Sequence, residues 1–156
     1  MIPQDSFVII AQIRSDRIDD LRTLLTTMNF ANRTGFADPA NQLVPFGAFE
    51  TIHYARFVVL ADNTLADRAA YPQLPRDEPT YLCFMVDCDG AADELMAQMA
   101  QRASGLRKIF GHCEGYDETA DLPGWLHAHR VQPMASYVNW VGRTAVQVQE
   151  EARLHG

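Results

Sequence analysis

The chain has 156 residues, of which 47% are hydrophobic and 21% charged, with a formal net charge of −7. This length suits one domain with a single core, and the composition is typical of a globular rather than a disordered protein. The acidic balance argues against nucleic acid and against an anionic membrane surface as partners, because both require a basic face. We therefore expect one domain over residues 1–156.

No apolar run is long enough to predict a transmembrane helix, and the first residues lack the basic and apolar regions of a signal peptide. The three cysteines, Cys83, Cys88 and Cys113, cannot all pair within one chain. We interpret them as thiols in a reducing compartment, which predicts a cytoplasmic protein.

The first 50 residues predict a strand, a helix and a long loop. Residues 6–14 are apolar and rich in β-branched side chains, which indicates a buried strand. Apolar residues then recur at helical spacing over residues 16–30, with Ser15 as a possible N-cap. Residues 31–50 hold several prolines and glycines without a clear period. They predict a loop that either folds over the sheet edge or closes a pocket.

The chain is organised around residues 51–62, TIHYARFVVLAD, which predict a central strand. Strand alternation places His53 with the apolar residues of one face and Arg56 on the other, so they share a pocket only if a bulge intervenes. Arg56 is interpreted as an ion-pair partner of Asp87 or Glu114. His53 is either a core histidine or a proton acceptor.

The second half predicts four more regular elements before the C-terminal helix. Residues 63–79 predict a proline-containing loop and residues 80–88 a strand. Residues 91–104 predict a helix that has Asp89 as its expected cap and that Gly105 ends before one more turn over residues 106–110. Residues 122–129 predict a short helix and residues 133–140 a fourth strand.

A capping box from Thr144 to Gln147 then predicts a last helix. Its expected apolar side consists of Val141, Ala145, Val148 and Ala152. We expect this otherwise polar helix either to dock on a partner or to belong to a longer chain.

The element order β-α-β-β-α-(α)-β-α predicts an α+β fold of the ferredoxin-like, split βαβ type. Such a fold has a four-stranded antiparallel sheet with helices on one face, here with an extra C-terminal helix. The other face is too apolar to stand bare in water, so a second protomer or the long loops should cover it. The candidate open-face residues are Gln12, His53 or Arg56, Tyr81, Cys83, Met85 and Tyr137.

This order resembles the dimeric α+β barrel superfamily, in which two ferredoxin-like sheets meet face to face. The superfamily includes cofactor-free monooxygenases, haem-degrading enzymes, chlorite dismutase-like proteins and dye-decolorising peroxidases. The segments TIHYARFVVL, FGHCEGY and SYVNWVGRTAVQVQEEARL are also similar to stretches of uncharacterised bacterial proteins. The resemblance implies a homodimer through the sheet face and a small apolar molecule as ligand.

The densest group of reactive side chains is GHCEGY, residues 111–116, between two glycines. Cys113 could be a thiolate activated by His112, or His112 could be an axial ligand of haem iron. The alternative is a helix-terminating loop in which Glu114 pairs with an arginine. The spacing of these residues with His127 and His129 fits no metal pattern, so we predict no metal site.

Two groups of candidate site residues follow. The catalytic candidates are His53 and His112 for proton transfer, with Tyr81 and Tyr137 to position a substrate. The ligand-binding candidates are Arg56, Cys113, Glu114 and Tyr116.

Three functions stay open. The first is binding of a small apolar molecule, as in a cofactor-free oxygenase or an isomerase-type enzyme. The others are a non-catalytic interaction module and a haem-binding oxidoreductase. No cofactor is favoured, and motifs for nucleotide binding, zinc proteolysis or serine hydrolysis are missing.

Overall fold

The computed structural model describes residues 4–61, 69–73, 78–117, 119–135 and 142–154. In this part of the chain the strands are β1 (Gln4–Ile13), β2 (Asn29–Phe30), β3 (Arg33–Ala37), β4 (Ile52–Leu60), β5 (Thr80–Asp89) and β6 (Arg130–Val131). The α-helices are α1 (Ile18–Thr26), α2 (Ala92–Arg102), α3 (Gly105–Phe110), α4 (Leu122–Ala128) and α5 (Ala145–Leu154). None of the helices in these ranges has the length and apolar character needed to cross a bilayer.

The main sheet has the strand order β4-β5-β1-β6, and each neighbouring pair is antiparallel. Counted along the chain, the first and third strands of this sheet (β1 and β5) therefore lie in its centre. The second and fourth (β4 and β6) lie at its edges. This is the split βαβ arrangement, so the predicted α+β, ferredoxin-like fold is confirmed. A separate hairpin, β2–β3, was not predicted.

One face of the sheet carries the core because alternate residues of the two central strands are apolar and buried. They pack with buried side chains of α1, α2, α3 and α4 in one cluster. At its centre the rings of Phe57 and Phe84 stack with centroids 4.2 Å apart, and Phe7 meets Phe84 edge-on at 5.6 Å. Each fully buried side chain of this size stabilises the fold by about 1.5–3 kcal/mol.

The first helix differs from the prediction at both ends. A 3-10 turn over Ser15–Arg17 precedes α1, and no side-chain cap bond is formed at its start, so Ser15 is not the N-cap. The helix ends at Thr26, where threonine hydroxyls donate to carbonyls of the last turn, including Thr27 Oγ1 to the Leu24 carbonyl at 2.6 Å. The chain then turns directly into the β2–β3 hairpin.

Residues 31–50 are more ordered than a loop. They contain β3 and a 3-10 turn over Phe46–Ala48, and they bury Val44 and Phe49 in the core. The Asn41 side chain donates to the Val44 carbonyl and accepts from the Val44 amide, which fixes this buried turn. Leu43, Val44, Phe46 and Phe49 therefore pack onto the domain, whereas Phe36 is exposed.

The fourth strand of the main sheet is β6, which lies before the predicted residues 133–140. Of the predicted residues 133–140, residues 133–135 are not in a strand, and residues 136–140 lie outside the described ranges. The edge of β1 pairs instead with β6, and its far end makes a single bridge from Ile13 to Cys113. Since α4 ends at Ala128 and the His129 carbonyl accepts from the Ile10 amide, the chain enters the sheet directly after that helix.

The C-terminal helix begins at the predicted capping box. The Gln147 amide donates to Thr144 Oγ1 at 3.2 Å, and the Thr144 amide donates to Gln147 Oε1 at 2.9 Å. The predicted apolar side of α5 is mostly exposed. Of its described residues Ala145 is buried, whereas Val148 and Ala152 are exposed. Val141 lies outside the described ranges.

Candidate functional site

The side chain of His53 is placed by a bulge in β4. Ile52 lies opposite Cys88 and Tyr54 lies opposite Asp87, so His53 has no residue opposite it in β5. Regular alternation, which put His53 and Arg56 on opposite faces, therefore fails at this position, and the bulge brings both residues to one face. The ring turns to the open face, where its Nε2 lies 2.8 Å from Asp89 Oδ1.

Both carboxylate oxygens of Asp89 are occupied, and its side chain is only 6% exposed. Oδ1 faces His53, and Oδ2 accepts from the Ala145 amide at 2.7 Å. Asp89 therefore joins β4 to the start of α5 and does not cap α2, which was its predicted role. Asp5 bonds the start of α2 instead: its Oδ2 accepts from the Ala92 amide at 3.0 Å.

The partners of His53 fix its tautomer. An ionised carboxylate can only accept, so Nε2 donates to Asp89, and Nδ1 is the acceptor when the ring is neutral. The amide nitrogen of Gln4 lies 3.3 Å from Nε2 and donates to the Arg143 carbonyl at 3.0 Å. Nδ1 makes no hydrogen bond with any described residue and is not among the fully buried unpaired atoms. Among the described residues the imidazole is thus held at one nitrogen only.

A carboxylate that orients an imidazole is the arrangement that supports general-base catalysis. His53 would accept a proton at Nδ1, and Asp89 would stabilise the imidazolium that forms. Asp89 is a positioning residue, since its own oxygens are both bonded. We refer to His53, Asp89 and Gln4 as the histidine–aspartate cluster.

The open face beside this cluster is largely apolar. Four large side chains of three strands are 37% to 46% exposed there, namely Tyr54, Leu60, Tyr81 and Val131. Between them, Cys83 is buried, and burial raises the pKa of its thiol although the Arg56 guanidinium acts in the opposite direction. The predicted Tyr81 therefore lies on the open face, and Tyr137 lies outside the described ranges.

Arg56 also lies on the open face, but its predicted ion pair is wrong. Among the described residues neither Asp87 nor Glu114 pairs with it. Its guanidinium instead lies 5.6 Å from the Tyr54 ring centroid and 4.0 Å from the Met85 sulfur. In the described ranges neither Arg56 nor Asp87 has an ion-pair partner.

His112 lies far from the histidine–aspartate cluster. The Arg14 amide donates to the His112 carbonyl, and the Glu114 amide donates to the Gln12 carbonyl, so this segment extends the sheet at the C-terminal end of β1. His53 contacts Gln4, at the other end of β1. Eight residues of strand separate the two ends by about 26 Å, so the two predicted catalytic histidines do not share a site.

The rest of the GHCEGY segment has structural contacts. Burial raises the pKa of Cys113 to about 12, so the thiol is protonated at neutral pH and the activated-thiolate alternative has no support. Glu114 is exposed, and Tyr116 packs edge-on against Trp125 with centroids 5.2 Å apart. His112 donates from Nδ1 to the Lys108 carbonyl at 2.8 Å, which leaves Nε2 as the atom that haem iron would use. No other contact favours haem.

A cleft of about 210 Å³ lies on the outer side of β4. Its walls are the end of α1, the β2–β3 hairpin, and Ala55, Arg56 and Phe57 of β4. Small-molecule sites typically measure about 300–1,000 Å³, so this cleft is too small for most such ligands. In the described ranges no group of three or more His, Cys, Asp or Glu side chains could hold a metal ion.

No protein-family model, curated protein or solved structure matches this chain. Its function must therefore be inferred from its own geometry. Sequence reasoning selected His53 but missed its partner, because Asp89 stands directly before a helix and was assigned to its cap. The alternation of β5 was the available indication, since it places Asp89 on the same face as Asp87 and Tyr81.

Proposed function

We propose that this chain forms a homodimer through the open faces of two sheets, as in the dimeric α+β barrel superfamily, and binds a small apolar molecule between them. The observation that carries this proposal is the exposed apolar surface of Tyr54, Leu60, Tyr81 and Val131. An antiparallel sheet that faces water normally shows polar residues on that side. A contiguous apolar face instead marks a binding surface.

A second copy is a suitable occupant because the face is self-complementary. Arg56 and Asp87 contribute one charge of each sign, on neighbouring strands. A two-fold axis through the apolar centre would let the Arg56 of each protomer approach the partner's Asp87, since an isologous contact pairs the same two patches twice.

His53 gives the enclosed space a chemical function. Its Nδ1 would remove a proton from a carbon of the bound molecule, and the imidazolium would be stabilised by Asp89. Return of that proton to another atom of the same molecule completes an isomerisation. The same first step would open a cofactor-free oxygenation, with dioxygen as the second substrate.

The dimer is tested by sedimentation velocity on the wild type and two variants. We expect a wild-type mass of twice 17.5 kDa, dissociation in Leu60→Glu, and an intact dimer in Leu154→Glu, which places the same substitution on the exposed end of α5. A monomeric wild type would contradict the proposal, and so would a dimer that persists in Leu60→Glu.

The base is tested by deuterium uptake. Small apolar ketones and other carbon acids are incubated with the protein in heavy water, and incorporated deuterium is measured by mass spectrometry. We expect uptake by at least one compound, with a rate that falls about 100-fold or more in His53→Gln and is unchanged in His112→Gln. Uptake that survives in His53→Gln, or no uptake by any compound, would contradict the assignment.

A non-catalytic interaction module is the second candidate, and the observation that favours it is the exposure of α5. Val146, Val148 and Leu154 are exposed, and Ala145 is the buried residue of this helix. Exposed apolar side chains of a helix can enter a groove on a partner. The sedimentation experiment separates the candidates, because association that is lost in Leu154→Glu but kept in Leu60→Glu would indicate α5.

A further inference from the structure

In the described ranges the outer edge of β4 has no strand paired with it. β4 is the terminal strand of the main sheet, and in the described part of the chain no backbone hydrogen bond joins residues 54–60 to a segment other than β5. This stretch spans about 20 Å at 3.4 Å per residue. Its outward N–H and C=O groups are a template for another strand.

Part of this edge, at Ala55, Arg56 and Phe57, borders the cleft of about 210 Å³. Asn29, Gly35 and Ala37 of the hairpin form the opposite wall, and Leu25, Met28 and Phe46 make part of the lining apolar. At Gly35, where φ is +81°, no atom lies within 4 Å of the position that a Cβ would take. The wall therefore leaves room for a backbone to approach.

We propose that this cleft receives an extended peptide segment that adds to β4 as a fifth strand and places an apolar side chain in the cleft. In recognition of this kind the main-chain hydrogen bonds supply affinity, and pockets for alternate side chains supply specificity. The proposal is independent of the open-face dimer, because it uses the edge of the sheet and not its face.

The size and shape of the cleft select a peptide over two other occupants. At about 30 Å³ per water, 210 Å³ holds about seven waters, enough for a side chain and adjacent backbone but less than the usual small-molecule site. A second copy of β4 does not fit, because its own hairpin and α1 would stand on its outer side. Two such edges could not approach to the strand spacing of about 4.8 Å.

The test uses synthetic peptides with alternating threonine and an apolar residue, either valine, leucine or phenylalanine, flanked by lysines. Binding is measured by NMR titration, and backbone hydrogen exchange of β4 is measured with and without peptide. We expect binding by at least one peptide, slower exchange in residues 54–60, and loss of both when alternate peptide nitrogens are methylated.

Two alanine variants provide the matched comparison. Ala37→Phe fills the cleft from its exposed wall, and Ala40→Phe makes the same change at an exposed position outside it. We expect peptide affinity to fall at least about tenfold in the first and to stay within about twofold in the second.

Three results would overturn the proposal. One is that no peptide of the set binds, and another is that the two variants weaken binding equally. The third is that exchange in residues 54–60 slows with protein concentration alone, which would assign the edge to a second copy.

Discussion

Replacing Asp89 with asparagine tests whether this residue holds the histidine and the last helix together. The side chain is nearly fully buried and makes two hydrogen bonds, at 2.8 Å to His53 and at 2.7 Å to the Ala145 amide. Asparagine keeps one acceptor oxygen, so one of the two bonds is lost and an NH₂ group faces a donor. A hydrogen bond to a charged group contributes about 1.5–3 kcal/mol, and that is the expected loss in the free energy of unfolding.

This loss predicts a fall in Tm of about 3–12 °C, since a domain of this size shifts by about 2–4 °C per kcal/mol. The measurement is urea and thermal unfolding followed by circular dichroism, together with hydrogen exchange at the Ala145 amide. The control is Glu50→Gln, at an exposed position where the side chain bonds no described residue. We expect that control to stay within about 0.5 kcal/mol of wild type. Equal stability of the two variants, or unchanged exchange at Ala145, would refute the reasoning.

Three further predictions concern the packing of the fold. Gly105→Ala should lower the free energy of unfolding by about 1–3 kcal/mol, because the new Cβ would lie 2.3 Å from the Leu43 carbonyl oxygen. The measurement is chemical denaturation, with Ser104→Ala as the control. Thr144→Ala should weaken the start of α5 by about 0.5–2 kcal/mol, because it removes the capping hydroxyl. We expect faster amide exchange at the start of α5 and unchanged exchange in the core. A drop in the global free energy of unfolding would contradict this prediction. Folding raises the pKa of Cys113 from 9.0 to about 12. Above pH 9 the thiol therefore loses its proton in the unfolded chain but keeps it in the folded protein. The free energy of unfolding should therefore fall as the pH rises from 9 towards 12. In Cys113→Ala the free energy of unfolding should fall less steeply with pH over this range, as measured by denaturant unfolding at several pH values. An equal pH dependence in the variant and the wild type would contradict this prediction.

Much of the fold follows from local patterns. β1 and β5 are runs of apolar residues long enough to predict buried strands, and both were located within two residues. The start of α5 was predicted from Thr144 and Gln147 alone, because a capping box is formed by neighbours in sequence.

What could not be predicted depends on distant parts of the chain. The bulge at His53 appears only when β4 is aligned with β5, and it reverses the face on which the ring lies. β6 has two residues, Arg130 and Val131, too few for any periodicity to be read. The pairing of Asp89 with Ala145 joins residues 56 positions apart, so no local pattern contains it.

The central claim is that two open faces meet, and site-specific photo-crosslinking tests it most directly. The photoreactive amino acid p-benzoylphenylalanine replaces Tyr81 on the open face or, as the control, Phe36 on the exposed hairpin. We predict a covalent dimer from position 81, with the attachment mapped to open-face residues of the second copy, and only monomer from position 36. A dimer formed from position 36, with only monomer from position 81, would contradict the account.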